Sequence, residues 1–420
     1  MSYKHACAGL IGVALVLLST SGNARAQELV GNCFFQNEGK NIIIMPGSTS
    51  LIPVVQFLGA KLIKMKQPHL LVYFPMASCE ALNRVNRRDS QSGTGEFYEE
   101  DPANPGRIVT KSCTIDGIVP MDMAIGDTFY ETCDSSVLRD PLLGDFQGPQ
   151  QAFVFITPRS NLYSSTMTAQ QARTVFGCGP KGQVSPYLDD NFIFSYKNGQ
   201  EVRFGAQLIV GKAIDLAYFQ DPSGSPSHSH RGDQDEADAV AASISPDKTI
   251  GFISAEVYDQ RRDQLKALAF RGFKQKLAYY PDSDANTRDK RNVRDGHYTI
   301  QAPMHMWAGL NADGTVARPL ARKMIDWMQG NPVAPEDELP FDINEVYAEA
   351  GVVPKCAMKV MRTVDGGPLG PFVSEKAPCG CSFESKATGQ AVPTGCVQCK
   401  DNSGCAQGQV CSYGFCELAW

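Results

Sequence analysis

Apolar residues follow two patterns along this chain: short unbroken runs, and residues at the spacing of one helix face. The run at 42–45 predicts a buried strand. The stretch 50–65 has the spacing of one helix face, with Pro53 tolerated in its first turn. Its apolar face comprises Leu51, Val54, Val55, Leu58 and Leu62.

The same alternation continues along the chain. The run at 70–75 predicts a second strand, and 78–88 predicts a helix with Ser78 as its N-cap. After a hairpin excursion at 95–117, the run at 121–129 predicts a third strand that ends on a polar turn. Later pieces repeat the pattern: a strand at 151–158, helices at 168–179 and 203–214, and a strand–helix–strand unit at 249–270.

This alternation of strands and helices predicts an α/β sheet with right-handed crossovers. In such sheets, ligands bind at the carboxyl ends of the strands. Polar residues stand at three predicted strand ends: Ser48, Thr49 and Ser50, then Ser78, then Asp127 and Thr128. We expect these three turns to meet in one cleft, where hydroxyls and helix N–H groups would suit an oxyanion. The alternative is that the hydroxyls only cap helices.

The first 26 residues have the pattern of a secretory signal peptide. Lys4 precedes an apolar core at 10–18 that is too short to span a bilayer, and Ala24-Arg25-Ala26 forms a small-residue cleavage site. We therefore expect a mature chain that begins at Gln27 and lies in the periplasm or outside the cell.

The mature chain of about 394 residues is long enough for two to three domains. Loss of Lys4 and Arg25, with no acidic residue, takes the formal charge from -6 to -8. A mildly acidic chain without a basic block argues against nucleic acid as a partner.

Cysteine is the most uneven feature of the composition. Five cysteines are scattered between 33 and 178, and eight lie between 356 and 416. In an exported protein these predict disulfides, with the eight pairing among themselves and one upstream thiol left over. Cys113–Cys133 is the upstream pair that we predict. Cys396-x-x-Cys399 alone would suit zinc, but an oxidising compartment removes the thiolates that zinc needs. Cross-links would stabilise a tail too short and glycine-rich to fold by itself.

Several motifs, taken in order, resemble those of phosphate-type periplasmic substrate-binding proteins. They are Pro46-Gly47-Ser48-Thr49-Ser50, Ser78-Cys79-Glu80, Asp122 to Asp127, "ARTVFGCGPKGQVSPYLDDNFIFSYKNGQ" and "TIGFISAEVYD". The resemblance covers roughly 42–310. It implies a type II periplasmic-binding-protein-like fold: two α/β lobes joined by two crossover strands, with phosphate or a similar anion held between them.

Two departures from the family pattern concern the ligand. Where the family has an arginine followed by Ser-Gly-Thr, this chain has Ser195, Tyr196, Lys197, Asn198, Gly199 and Gln200. Lys197 cannot make the bidentate contact of an arginine. The serine of the family's third loop is Gly126 here. The chain is therefore expected to be either the oxyanion receptor of a membrane importer or a surface interaction protein that kept the scaffold and lost the ligand.

Other motifs in the sequence give weaker evidence of function. The loop 282–298 has acidic residues at alternate positions like a calcium loop, but it lacks the glycine and the final glutamate, which favours a solvated surface loop. His228 and His230 suggest a metal only weakly, and Arg231-Gly232-Asp233 matches the cell-adhesion tripeptide, for which chance is the better explanation in so polar a loop. No catalytic motif is recognisable, so we expect a monomeric binding protein with no enzyme activity and no cofactor or metal.

The expected organisation has three parts. Residues 1–26 are the signal peptide, 27–350 form the two-lobed α/β domain, and 351–420 form a Cys-rich C-terminal module. Within the α/β domain, one lobe comprises about 27–120 and 250–350, and the other about 121–249.

Overall fold

The fold was obtained from a computed structural model, in which residues 28–34, 41–133, 138–196, 229–230 and 232–418 are described. The predicted signal peptide, Lys197 and the helix predicted at 203–214 lie outside these residues. Among the described residues, no helix combines the length and the apolar character that a membrane span requires.

Strands and short helices alternate as the sequence predicted. The strands are β1 (Glu28–Asn32), β2 (Asn41–Ser48), β3 (His69–Met76), β4 (Ser90–Glu100), β5 (Ile108–Pro120), β6 (Ala124–Gly126), β7 (Leu143–Pro158), β8 (Thr166–Thr168), β9 (Ser195–Tyr196), β10 (Ser229–His230), β11 (Gly251–Ser254), β12 (Leu265–Ala267), β13 (Ala269–Arg271), β14 (Gln301–Gly309), β15 (Val360–Met361), β16 (Gly370–Pro371), β17 (Gln409–Ser412) and β18 (Phe415–Leu418). The helices are α1 (Ile52–Leu62), α2 (Ser78–Asn86), α3 (Ala169–Cys178), α4 (Asp233–Ala241), α5 (Ala255–Asp259), α6 (Arg291–Arg294), α7 (Pro319–Gln329), α8 (Ile343–Ala350) and α9 (Gly380–Thr388).

The main sheet has the strand order β1-β5-β4-β3-β2-β6-β14-β7-β11, and β12 also pairs with β7. In its centre, β2 runs parallel to both β3 and β6. The carboxyl ends of these three strands therefore lie at the same edge of the sheet. The antiparallel pair β4–β5 corresponds to the predicted hairpin excursion.

Two groups of core residues define two lobes. In the first lobe, α1, α7 and α8 cover one face of β2, β3 and β6, and α2 covers the other. In the second lobe, aromatic residues such as Phe153, Phe155 and Phe252 pack between β7, β11 and the helices α3 and α4. The antiparallel strands β7 and β14 contribute to both cores and connect them. The predicted α/β fold with two lobes and two crossover strands is thus confirmed.

The lobes divide the chain differently from the expected boundaries. Met123 and Ile125 pack in the first-lobe core, since β6 pairs with β2 there. Ile250 to Ala302 contribute to the second-lobe core instead of the first. The chain changes lobe within β7 and β14 because each of these long strands has a buried run that continues from one core into the other.

The C-terminal part is stapled by disulfides, as predicted. The eight cysteines pair among themselves as Cys356–Cys379, Cys381–Cys396, Cys399–Cys411 and Cys405–Cys416. The first part of this region is not a separate module, because Val353, Met358 and Phe383 belong to the second-lobe core.

The upstream cysteines form Cys33–Cys113 and Cys79–Cys133, so the predicted Cys113–Cys133 pair is wrong. Cys113 lies in β5 beside β1, which brings Cys33 to it, whereas Cys79 in the first turn of α2 faces Cys133. The prediction of one unpaired upstream thiol is confirmed, since Cys178 is free and exposed.

Candidate functional site

The site is built from three chain segments that meet at the carboxyl edge of the first-lobe sheet. Ser48 is the last residue of β2, Ser78 is the first residue of α2 directly after β3, and Asp127 follows β6. The parallel order β3-β2-β6 places these turns side by side. The turns named from the sequence therefore meet in space.

Serine hydroxyls converge on the carboxylate of Asp127. Ser50 Oγ donates to Asp127 Oδ2 at 2.5 Å, and Ser78 Oγ donates to Asp127 Oδ1 at 2.6 Å. Ser48 Oγ lies 2.8 Å from Ser50 Oγ and 3.1 Å from Asp127 Oδ2. All four side chains are buried, with at most 6% of any residue exposed. The carboxylate thus joins three strand ends through hydroxyl groups in a water-poor environment.

These hydroxyls are not helix caps. Neither Ser48, the N-cap of the 3-10 turn Thr49–Leu51, nor Leu51, the N-cap of α1, makes a side-chain capping bond. The N-cap of α2 is Ala77, so the prediction of Ser78 as an N-cap is wrong. The hydroxyl of Ser78 turns to the Asp127 carboxylate instead, because a charged acceptor forms the stronger hydrogen bond.

The backbone beneath the hydroxyls is also fixed. The Tyr73 hydroxyl donates to the Ser48 carbonyl oxygen at 2.6 Å from the neighbouring strand β3. Burial raises the pKa of Tyr73 well above its ordinary value, with a smaller contribution from the Asp127 charge, so the phenol keeps its proton. The end of β2 is therefore held on one side by Tyr73 and on the other by Asp127.

Thr49 and Thr128, which the sequence placed in the same site, point elsewhere. Thr49 faces the second lobe, where a Cβ on Gly232 at the start of α4 would lie 2.8 Å from the Thr49 Cβ. Thr128 Oγ1 donates to Asp365 Oδ2 at 2.8 Å and not to the Asp127 carboxylate. Lys197 lies outside the described residues.

Two residues at the site were missed from the sequence. Gln151 in β7 donates through Nε2 to the Ser50 carbonyl oxygen at 3.3 Å and to Glu256 Oε2 at 3.1 Å. Glu256 in α5 is fully buried, and burial raises its pKa well above the ordinary value. The only sequence signal for either was a polar residue inside an apolar run.

Gly126 explains one departure from the family pattern. A Cβ at this position would lie 2.4 Å from the ring of Trp307, which is completely buried in β14. The indole occupies the space that a serine side chain would need. Compared with the family pattern, the site therefore has a buried indole ring at this turn in place of a serine hydroxyl.

The loop 282–298 holds an ion-pair network. Lys290 Nζ lies 2.7 Å from Asp259 Oδ2 and 3.0 Å from Asp282 Oδ1, and Arg262 contacts both carboxylates at 2.6 Å. Lys290 and Asp282 are almost completely buried. The expectation of a solvated surface loop is therefore wrong at Asp282, whose carboxylate is neutralised by protein cations.

The cell-adhesion interpretation of residues 231–233 has no support in the described part. Asp233 is fully buried and accepts the backbone N–H of Ser254 at 2.9 Å. An acidic side chain in this position cannot be presented to a receptor.

Comparisons with known proteins give structural likeness only. No family model and no curated protein sequence matches the chain. Among solved structures, one that it resembles is a phosphate ABC transporter substrate-binding protein with bound phosphate from Clostridium perfringens, at 13% identity and a TM-score of 0.47, covering 75% of this chain and 99% of that one. An ABC-type phosphate transport receptor from Vibrio cholerae matches at 14% identity and a TM-score of 0.45, covering 75% and 100%. A phosphate-binding protein from Stenotrophomonas maltophilia matches at 11% and 0.42, covering 74% and 90%. At TM-scores below 0.5, these likenesses carry no argument about the ligand of this chain.

Proposed function

We propose that this chain is an exported solute-binding protein for a small oxyanion that carries a proton, such as hydrogen phosphate. The observation that supports the proposal is the buried set of Ser48, Ser50 and Ser78 hydroxyls around the Asp127 carboxylate. Gln151 of the second lobe donates to the Ser50 carbonyl oxygen, and Gly232 lies against the adjacent Thr49, which supports a site close to the junction of the two lobes. A membrane importer or a cell-surface protein would be its partner.

The hydrogen-bonding capacity of the site explains the preference. A serine hydroxyl has one proton and two lone pairs, whereas an ionised carboxylate only accepts. A ligand with both bare oxygens and an O–H group would accept hydrogen bonds from the serine hydroxyls. Its own O–H group would donate a hydrogen bond to the Asp127 carboxylate. A fully ionised sulfate offers no such proton, so Asp127 would repel it.

We expect the affinity to be modest. The family's bidentate arginine has no counterpart in the matching motif, and a hydrogen bond to a charged group contributes roughly 1.5–3 kcal/mol. Its loss corresponds to about 10- to 200-fold weaker binding. Binding in the micromolar to millimolar range is therefore expected.

Calorimetric titration tests the proposal. Phosphate should release or absorb heat at millimolar concentration, and sulfate should give less. Ser50→Ala should weaken phosphate binding, and Asp127→Asn should reduce the discrimination against sulfate. The matched controls are Ser92→Ala and Asp263→Asn, which change exposed residues of the same types. These controls should titrate like the unaltered protein.

A second function is favoured by one observation, the completeness of the Asp127 hydrogen bonds within the chain itself. A carboxylate that already holds three serines can serve as a purely structural joint in an interaction scaffold. If neither anion produces heat at millimolar concentration while Ser50→Ala lowers stability, the hydroxyls are structural, and the interaction role replaces the receptor role.

A further inference from the structure

The chain after α8 returns from the first lobe to the second and contacts both on its way. We propose that residues 352–386, here called the strap, tie the two lobes together and hold the angle between them. The contacts that carry this proposal lie outside the Ser48–Asp127 site. The proposal therefore stands whether or not that site binds an anion.

The strap is anchored in the second lobe. Phe383 and Met358 are buried in that core, and the Cys356–Cys379 disulfide closes the strap on itself. Glu384 of α9 accepts from Arg291 at 2.6 Å and from Arg294 at 3.0 Å, both on α6 of the second lobe. This end moves with the second lobe.

At the crossing between the lobes, the strap pairs with β7. The Gln150 N–H donates to the Val353 carbonyl oxygen at 2.7 Å, and the Val353 N–H donates back at 2.9 Å. Because β7 is one of the two connecting strands, the strap adds a third chain segment to the connection.

The first attachment to the first lobe is Asp365. Its Oδ2 accepts from the Phe129 N–H at 2.8 Å, from Thr128 Oγ1 at 2.8 Å and from Thr132 Oγ1 at 2.6 Å. Only 6% of Asp365 is exposed. Three residues earlier, Arg362 Nη2 donates at 2.8 Å to the carbonyl oxygen of Thr299 in the second lobe. Four residues of the strap therefore span from one lobe to the other.

The second attachment to the first lobe consists of two lysines. Lys386 Nζ lies 2.9 Å from Glu345 Oε1 and 3.2 Å from Asp342 Oδ2, at the start of α8. Lys376 Nζ donates at 3.0 Å to Asn331 Oδ1, just beyond α7. Asp365 and these lysines hold different parts of the first lobe, so the strap opposes a change in lobe angle at two separate places.

Distance measurement between the lobes tests the strap without any ligand. Cys178 is a free, exposed thiol in the second lobe, and Lys66→Cys adds an exposed thiol in the first. Spin labels on these two cysteines in the full oxidised chain should give one narrow distance distribution by pulsed electron paramagnetic resonance. Asp365→Ala and Lys386→Met should each shift or broaden that distribution, and the combined variant should do so most.

Lys400→Met is the matched control, because it removes an exposed lysine of the same tail outside the strap. This control should keep the narrow distribution. Circular dichroism checks that each variant is folded, and if Asp365→Ala does not fold, Thr132→Val removes one donor to the same carboxylate with a smaller change. Two outcomes would overturn the proposal. One is a distance distribution that is already broad in the unaltered protein. The other is a narrow distribution that stays unchanged both in Lys386→Met and in whichever of Asp365→Ala and Thr132→Val is folded.

Discussion

Removing the Ser50 hydroxyl is the most direct perturbation of the Asp127 cluster. Ser50 is completely buried, and its Oγ makes the shortest contact to the carboxylate, 2.5 Å. A hydrogen bond to a charged group contributes roughly 1.5–3 kcal/mol. Ser48 Oγ remains 3.1 Å from the same oxygen and can compensate in part. We therefore expect Ser50→Ala to lower the free energy of unfolding by about 2 kcal/mol.

Asp127→Asn should cost more than Ser50→Ala. The substitution removes the charge that strengthens all three contacts. In the unaltered protein the serine hydroxyls donate to the carboxylate, whereas in the variant the amide N–H group of the asparagine is itself a donor that faces these hydroxyls. Neutral hydrogen bonds contribute about 0.5–1.5 kcal/mol each, so about 1 kcal/mol is lost per contact. Because Ser50 and Asp127 contact each other, the double variant should fall short of the sum of the two single losses by about 0.5–3 kcal/mol.

The assay is urea unfolding of the oxidised protein, followed by tryptophan fluorescence, with Ser92→Ala as the control. Surface substitutions of this kind usually stay within about 0.5 kcal/mol of the unaltered protein. A Ser50→Ala loss no larger than that of the control would show that the short contact contributes nothing net. Strict additivity with Asp127→Asn would refute the conclusion that the two groups act as one unit.

Three further outcomes are expected. Glu256→Gln should raise thermal stability at pH 8 and have little effect at pH 4. The Glu256 carboxyl binds its proton more tightly in the folded chain, so its stabilising contribution is lost as pH rises through the raised pKa. The loss is about 1.4 kcal/mol per unit of pKa difference between the folded and unfolded chains. The control Glu336→Gln, at an exposed residue, should show no such trend. Gly126→Ala should lower unfolding free energy by about 1–3 kcal/mol because its Cβ meets a buried indole, whereas Gly309→Ala, with open space around it, should be near neutral. Thiol titration of denatured, unreduced mature protein should find about one group, from Cys178, and several groups would contradict the disulfide pattern.

The alternation of apolar runs was enough to predict the α/β fold and the meeting of the three turns. Those inferences depend on periodicity, which is a local property, and on the general rule that the carboxyl ends of parallel strands meet at one edge of a sheet. Ser48, Ser78 and Asp127 each stand in the turn at the end of a predicted strand, so their positions in space come from the strand order.

What the sequence could not provide are pairings that depend on which distant segments touch. Cys113 finds Cys33 because β1 lies beside β5, and no spacing rule contains that neighbour. The space beside Gly126 is filled by Trp307 from a strand far along the chain. Asp365 lies in the polar, glycine-rich tail, where nothing in its surroundings marks it as a buried group.

The direction of a hydroxyl was equally beyond the sequence. Ser48 and Ser78 stand where caps are expected, and a cap and a cluster member have the same residue type. The choice is made by Asp127, a charged acceptor that only the folded sheet brings within reach. Residue type thus predicted the chemistry available at the site, and tertiary contacts decided where it was used.

The turn after β6 connects the candidate site to the strap. Asp127 at its start holds the serines of the first lobe, and Thr128, Phe129 and Thr132 within it hold Asp365 of the strap. Two carboxylates therefore fix this short turn, Asp127 at the site and Asp365 of the strap. If the site opens to an anion by lobe rotation, as the two proposals together require, that rotation would also pull on Asp365, and site access and strap release would be coupled at this turn. The low affinity expected of a site without a bidentate arginine would then be reduced further by the cost of releasing the strap, because only the released fraction is competent to bind.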